Sequence, residues 1–149
     1  MALSDQINTE IKLAMKAKDK VQLESLRAIK SALLLAATEK GSNGEPDESA
    51  ETKILQKLVK QRKDAAEIFR NENRIELAEA EEAQIEIIAK FLPEQLGEEQ
   101  IRAVINRIVT DTNASSMKDM GRVMGIANKE LAGKADGKLI ANIVKTQLS

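Results

Sequence analysis

The sequence predicts an all-α protein, a four-helix N-terminal part followed by a three-helix C-terminal bundle, and three observations carry that expectation. Only two prolines and seven glycines punctuate the 149 residues, so breaks in a helical chain are few. Long stretches of Ala, Leu, Glu, Lys, Gln and Arg supply strong helix formers. Apolar residues recur three and four apart, the spacing that lines one face of a helix, and no segment alternates convincingly as a strand does. A chain of this length has room for one compact unit or two small ones, and buries roughly two thirds of its unfolded surface.

The first helix is expected from about Ser4, a good N-cap, to Ala17, with Ile7, Ile11 and Met15 facing inward. A second begins after Asp19, which with Gln22 resembles a capping box, and Val21, Leu26, Ile29 and Leu33 supply its buried stripe. It breaks at Gly41-Ser42-Asn43-Gly44-Glu45-Pro46, the most flexible loop the sequence predicts. The third runs from Asp47 or Ser49 to Asn71. It buries Leu55, Leu58, Val59 and Phe69 and exposes Lys53, Lys57, Lys60, Arg62 and Lys63. After a turn at Asn71 to Asn73, the fourth spans Arg74 to Leu92, acidic on its outer side, and stops at Pro93, which cannot continue the ladder. Pro93 to Gly97 separates an N-terminal domain, 1–93, from a C-terminal one, 94–149. Three helices follow, Glu98 to Thr112, Ser116 to about Leu131 and Asp136 to Leu148, joined by loops short enough for antiparallel neighbours.

Composition removes whole classes of chemistry. With no cysteine and no histidine, a disulfide framework, thiolate metal sites, cysteine nucleophiles, Ser-His-Asp triads and zinc hydrolase sites all fail. Trp and Tyr are absent and Phe occurs twice, which disfavours proteins that stack single-stranded bases on aromatic rings. No cofactor and no metal is expected; Glu82 and Glu86 lack the partners a carboxylate metal site needs. No apolar run is long enough to span a membrane, and a net charge of −1 gives no bulk attraction to an anionic membrane. Asp5, Glu10 and Asp19 argue against a mitochondrial presequence, and the expected location is cytoplasmic.

Charge is nevertheless uneven. Residues 113–149 carry six cations, Lys118, Arg122, Lys129, Lys134, Lys138 and Lys145, against three acids, for a net +3, whereas residues 1–112 are net −4. At about 100° per residue, Met117, Met120, Met124, Ala127 and Leu131 form a core stripe, with Lys118, Arg122 and Lys129 on the opposite side. Gly121 and Gly125 lie between the stripes, and each costs a helix interior about 0.8 to 1 kcal/mol relative to Ala. Either another helix packs tightly there or a large ligand approaches the backbone. Gly133-Lys134-Ala135-Asp136-Gly137-Lys138 fails as a phosphate loop because only three residues separate its glycines and Leu139 follows the lysine. Asp136 is expected to cap the last helix, with Lys134 and Lys138 near its start. The second basic cluster, Lys57 to Lys63, reads as a solvated face neutralised by Glu51, Asp64 and Glu67. Met15, Met117, Met120 and Met124 read as core filler.

Five stretches carry a resemblance: Leu26-Arg27-Ala28-Ile29-Lys30-Ser31-Ala32-Leu33, Lys60-Gln61-Arg62-Lys63-Asp64, Phe91-Leu92-Pro93-Glu94-Gln95-Leu96, Ser115 to Gly125, and Gly133 to Leu139. Together they resemble the YqeY family over the whole chain, a family similar to the C-terminal helical region of GatB, a subunit of the tRNA-dependent amidotransferase. The resemblance implies a three-helix C-terminal part corresponding to the GatB tail that engages tRNA. It also brings a family label of carbon-nitrogen ligase activity with glutamine as amido donor. The catalytic domain of GatB has no counterpart in these residues, so catalysis by the chain alone is not expected. The expected partner is tRNA, contacted through Lys118, Arg122, Lys129, Lys134, Lys138 and Lys145 by shape and backbone. The alternative is a helical interaction module docking on an amidotransferase or synthetase.

Overall fold

The computed structural model describes residues 2–39, 44 and 46–149. Among these the chain is all-helical: α1 Leu3–Ala17, α2 Lys20–Thr38, α3 Glu48–Asn71, α4 Ile75–Ala89, α5 Glu98–Asp111, a 3-10 turn at Met117–Asp119, α6 Met120–Glu130 and α7 Gly137–Leu148. The loop expected to be most flexible, Gly41 to Pro46, lies outside the described residues apart from Gly44 and Pro46. Two compact units divide the chain, one ending at Leu92 and the other starting at Pro93.

In the first unit, α1 starts one residue earlier than expected, and Ser4 caps nothing because it already sits inside the first turn. Ile7 and Ala14 are buried, with Leu3 and Ile11 packed beside them, while Met15 is 56% exposed. Seven residues bring a side chain back to within about 20° of its starting direction. Ala14 therefore lines up with Ile7 and Met15 does not. Lys18, at φ 56°, closes the helix, and the Asp19 carboxylate accepts from the Gln22 N–H at 3.1 Å to open α2. Leu26, Ile29 and Leu33 are buried as expected, but Val21 lies outside the core. The buried Ser25 is satisfied within its own helix, its hydroxyl donating to the Val21 carbonyl at 2.8 Å.

Asp47 caps α3, accepting from the Ala50 N–H at 2.8 Å. Leu55, Val59 and Ala66 are its buried residues, with Leu58 packed against the same core. The helix α4 packs on α3, and polar pairs tie the two: Arg62 Nε donates to Gln84 Oε1 at 2.9 Å, and Arg70 grips Glu82 through two bonds of 2.8 Å. Arg62 also donates to the Leu58 carbonyl, so it leaves the solvated cationic face on which sequence placed it. After Ala89 the N–H groups of Lys90, Phe91 and Leu92 bond to carbonyls three residues back, tightening the chain ahead of Pro93.

The second unit is a bundle of α5, α6 and α7 around Ile101, Ile105, Ile108, Val123, Leu131 and Val144, all fully or almost fully buried. Gln100 Oε1 accepts from the Gly97 N–H at 2.9 Å at the start of α5. The single helix expected over Ser116 to Leu131 is divided. Its first turn is 3-10, closed by a capping box in which the Ser116 hydroxyl accepts from the Lys118 N–H and the Asp119 carboxylate accepts from the Ser116 N–H.

Candidate nucleic-acid interface

The basic residues of the second unit are positioned by the ends of α5, α6 and α7. Asp119 organises the entry to α6: its Oδ2 accepts from the N–H groups of Ser115 at 2.9 Å and Ser116 at 3.4 Å. Its Oδ1 accepts from Arg122 Nη2 at 3.1 Å, and the same nitrogen donates to the Thr112 carbonyl at the end of α5, also at 3.1 Å. These bonds hold the Asp119 carboxyl below the usual aspartate range, the Ser115 N–H being the largest cause and Ser116 and the Arg122 charge adding to it. One guanidinium nitrogen is thereby committed, and the group has five N–H donors in all. Sequence reasoning missed Asp119 as the group that aims Arg122; the i,i+3 spacing of acid and base was the available signal.

Arg122 and Lys129 stand seven residues apart on α6 and share one exposed row, with Lys118 in the turn before it. Gly121 and Gly125 open the surface beside this row. Apart from α6's own backbone and the flanking residues, no atom lies within 4 Å of where a Cβ would sit on either, so no other helix of the second unit packs there. Lys138 and Lys145 form a second exposed row, on the side of α7 away from Ile140, Ile143 and Val144. The structure therefore brings five of the six cations into two rows, one at α6 and one on α7, the α6 row leaning toward α5 through the Arg122–Thr112 bond. Lys134 sits in the turn between them. Among the described residues, none of these five lysines is in an ion pair.

Arg107 on α5, outside the stretch singled out for charge, belongs to the same neighbourhood: it pairs with Glu130 at the end of α6 and with Asp111 at 3.5 Å. Glu130 is thus engaged with Arg107, which leaves the neighbouring Lys129 free to act. The turn Gly133 to Asp136 is fixed from the other side. Leu96 N–H donates to the Lys134 carbonyl at 2.9 Å, and Gln95 Nε2 donates to the Gly133 carbonyl at 2.7 Å. Asp136 caps α7 as expected, accepting from the Lys138 N–H at 3.3 Å. Among the described residues no group of acidic side chains is arranged to hold a metal ion.

Two separated sequence motifs, Pro93 to Leu96 and Gly133 to Lys138, are thus one structural feature. A model of YqeY-like proteins matches residues 4–148. The chain belongs to the YqeY family. Among its YqeY relatives are proteins named "Altered inheritance of mitochondria protein 41, mitochondrial". The one from Clavispora lusitaniae is 31% identical over 140 residues, covering 88% of this chain and 77% of the relative. Those from Pyrenophora tritici-repentis and Lachancea thermotolerans are 27% and 33% identical, covering 87% and 74% of this chain and 71% and 59% of the relatives.

These names overturn the expectation of a cytoplasmic location, since the relatives are mitochondrial proteins by name. That expectation rested on the acids Asp5, Glu10 and Asp19. Those acids concern only whether α1 looks like a leader.

Proposed function

We propose that this YqeY protein is a non-catalytic, tRNA-binding helical protein associated with tRNA amidation, and that its second unit is the RNA-binding part. On this reading the four helices before Pro93 and the three after it are separate domains, near 1–93 and 94–149. The observation that supports it is the pair of exposed rows on α6 and α7, whose lysines are in no ion pair among the described residues, with the open backbone at Gly121 and Gly125 beside Arg122. Lysine and arginine aimed at solvent meet phosphate oxygens, and a helix face without side chains admits a bulky backbone at close range. With almost no aromatic residues, recognition goes to phosphates, 2'-hydroxyls and shape, not to unstacked bases.

The test is a set of single substitutions read by salt-dependent binding. Arg122→Ala, Lys129→Ala and Lys138→Ala are expected to weaken tRNA binding to a similar extent across RNA sequences, each lowering the salt slope by about one. Unchanged binding in all three overturns the assignment of the site. A protein partner captured equally well after ribonuclease treatment, with no RNA binding, supports the docking-module alternative instead.

A further inference from the structure

The first unit carries two helical turns whose surfaces are complementary to each other and, among the described residues, joined by no ion pair. A cavity at one end is lined by Ile7 and Asn8 from the start of α1, Lys30 and Leu33 from the second half of α2, and Pro46 and Glu51 at the start of α3. The α1–α2 turn at Lys18 and Asp19 and the α3–α4 turn at Asn71 to Arg74 therefore both lie at the opposite end. The core that joins the four helices uses α3 only as far as Val59 and α4 only from Ile85 onward. Beyond those residues the α3–α4 hairpin packs on itself.

Nine large apolar side chains are exposed among the described residues, and six lie around these two turns: Leu13, Met15 and Val21 at the first, and Ile68, Ile75 and Leu77 at the second, each 39–56% exposed. Leu13 and Met15, and likewise Ile75 and Leu77, are two residues apart and face different sides of their helices, so each turn offers apolar side chains around its end, six of the nine exposed ones gathering there. The two clusters differ in charge. Residues 12–21 carry Lys12, Lys16, Lys18 and Lys20 against Asp19, a net +3, and residues 63–82 carry three cations against seven acids, a net −4. No ion pair crosses from one turn to the other among the described residues, and none of the four lysines has an ion-pair partner there.

We propose that this end is a self-association surface whose occupant is a second copy of the chain, with the α1–α2 turn of each copy set against the α3–α4 turn of the other. A two-fold interface requires that if one patch meets another, the reciprocal contact is made as well. The oppositely charged turns meet that requirement: both contacts bring lysines to glutamates, around apolar centres that leave water together. An anionic membrane, a nucleic acid or an acidic protein satisfies the lysine turn alone and is repelled by the glutamates at the same end.

The decisive measurement is the mass in solution of the full chain, by sedimentation velocity, for the wild type and two charge-reversed variants. One is Lys16→Glu with Lys20→Glu, which turns the first patch from +3 to −1, and the other is Glu72→Lys with Glu76→Lys and Glu79→Lys, which turns the second from −4 to +2. The wild type is expected to dimerise in low salt and to dissociate as salt rises. Each variant alone loses the dimer, because both of its contacts then oppose like charges. An equimolar mixture regains it, because in the mixed dimer both contacts pair opposite charges again. Met15→Glu, at an exposed position, also loses the dimer while keeping the helical circular dichroism of the wild type. A wild type that stays monomeric at every concentration, a dimer indifferent to both reversals, or a mixture that remains monomeric overturns the proposal.

Discussion

Asp119 and Arg122 form a 3.1 Å ion pair whose guanidinium nitrogen also reaches the Thr112 carbonyl, so one acid fixes both the turn into α6 and the direction of a basic side chain. The folded-state value of this carboxyl is depressed, so its ionised form favours the fold. That contribution is complete above the unfolded value and is lost as pH falls through the folded one. An NMR titration is expected to place the Asp119 midpoint below that of an ordinary aspartate. In Arg122→Ala most of the depression persists, since the Ser115 N–H is its larger cause. A midpoint at or above the ordinary value contradicts this account of the turn.

Gly125→Ala separates stability from binding. The added methyl meets nothing within 4 Å, so the helix gains the propensity difference of about 0.8 to 1 kcal/mol without a packing cost. Thermal melting is expected to move upward while tRNA affinity falls. A destabilised variant shows that the flank is closed in solution.

Ile105→Ala removes a side chain with no exposed surface and is expected to cost about 2 to 5 kcal/mol in denaturant unfolding. Leu35→Ala, at a position 64% exposed, stays within about 0.5 kcal/mol of wild type. Equal effects from the two contradict the division between core and surface.

Asp47→Ala removes the carboxylate that accepts the Ala50 N–H and is expected to cost about 1 kcal/mol. Ser4→Ala, at the position that looks like a cap in sequence and caps nothing, leaves unfolding unchanged. Chemical denaturation of the pair distinguishes the real helix start from the apparent one.

Those two residues also show which features are legible in sequence. Asp19, Asp47 and Asp136 each stand immediately before an apolar-periodic run with nothing better upstream, and all three cap. Ser4 has the same chemistry, but α1 begins before it, and boundaries of this kind depend on where packing starts the turn. Met15 and Val21 fit an apolar stripe, yet the core is narrower than the stripe and ends at Ala14 and Leu23. The cations of the candidate interface are readable from charge alone. Their division into two rows follows from helical spacing, but the contacts that aim Arg122 and occupy Glu130 do not, because Thr112 and Arg107 are distant in the chain and set by the packing of α5 on α6. The clasp of Gln95 and Leu96 on Gly133 and Lys134 is equally silent in sequence, because it is made largely through backbone groups that every residue carries.

The most direct measurement of the central claim is a titration of the purified chain against total tRNA and against duplex DNA of equal length, at two salt concentrations. A preference for tRNA, with a slope equivalent to roughly three or four released counterions, is the expected result for the two basic rows of the second unit. Equal and weak binding to both nucleic acids, or none, contradicts an RNA interface on α6 and α7.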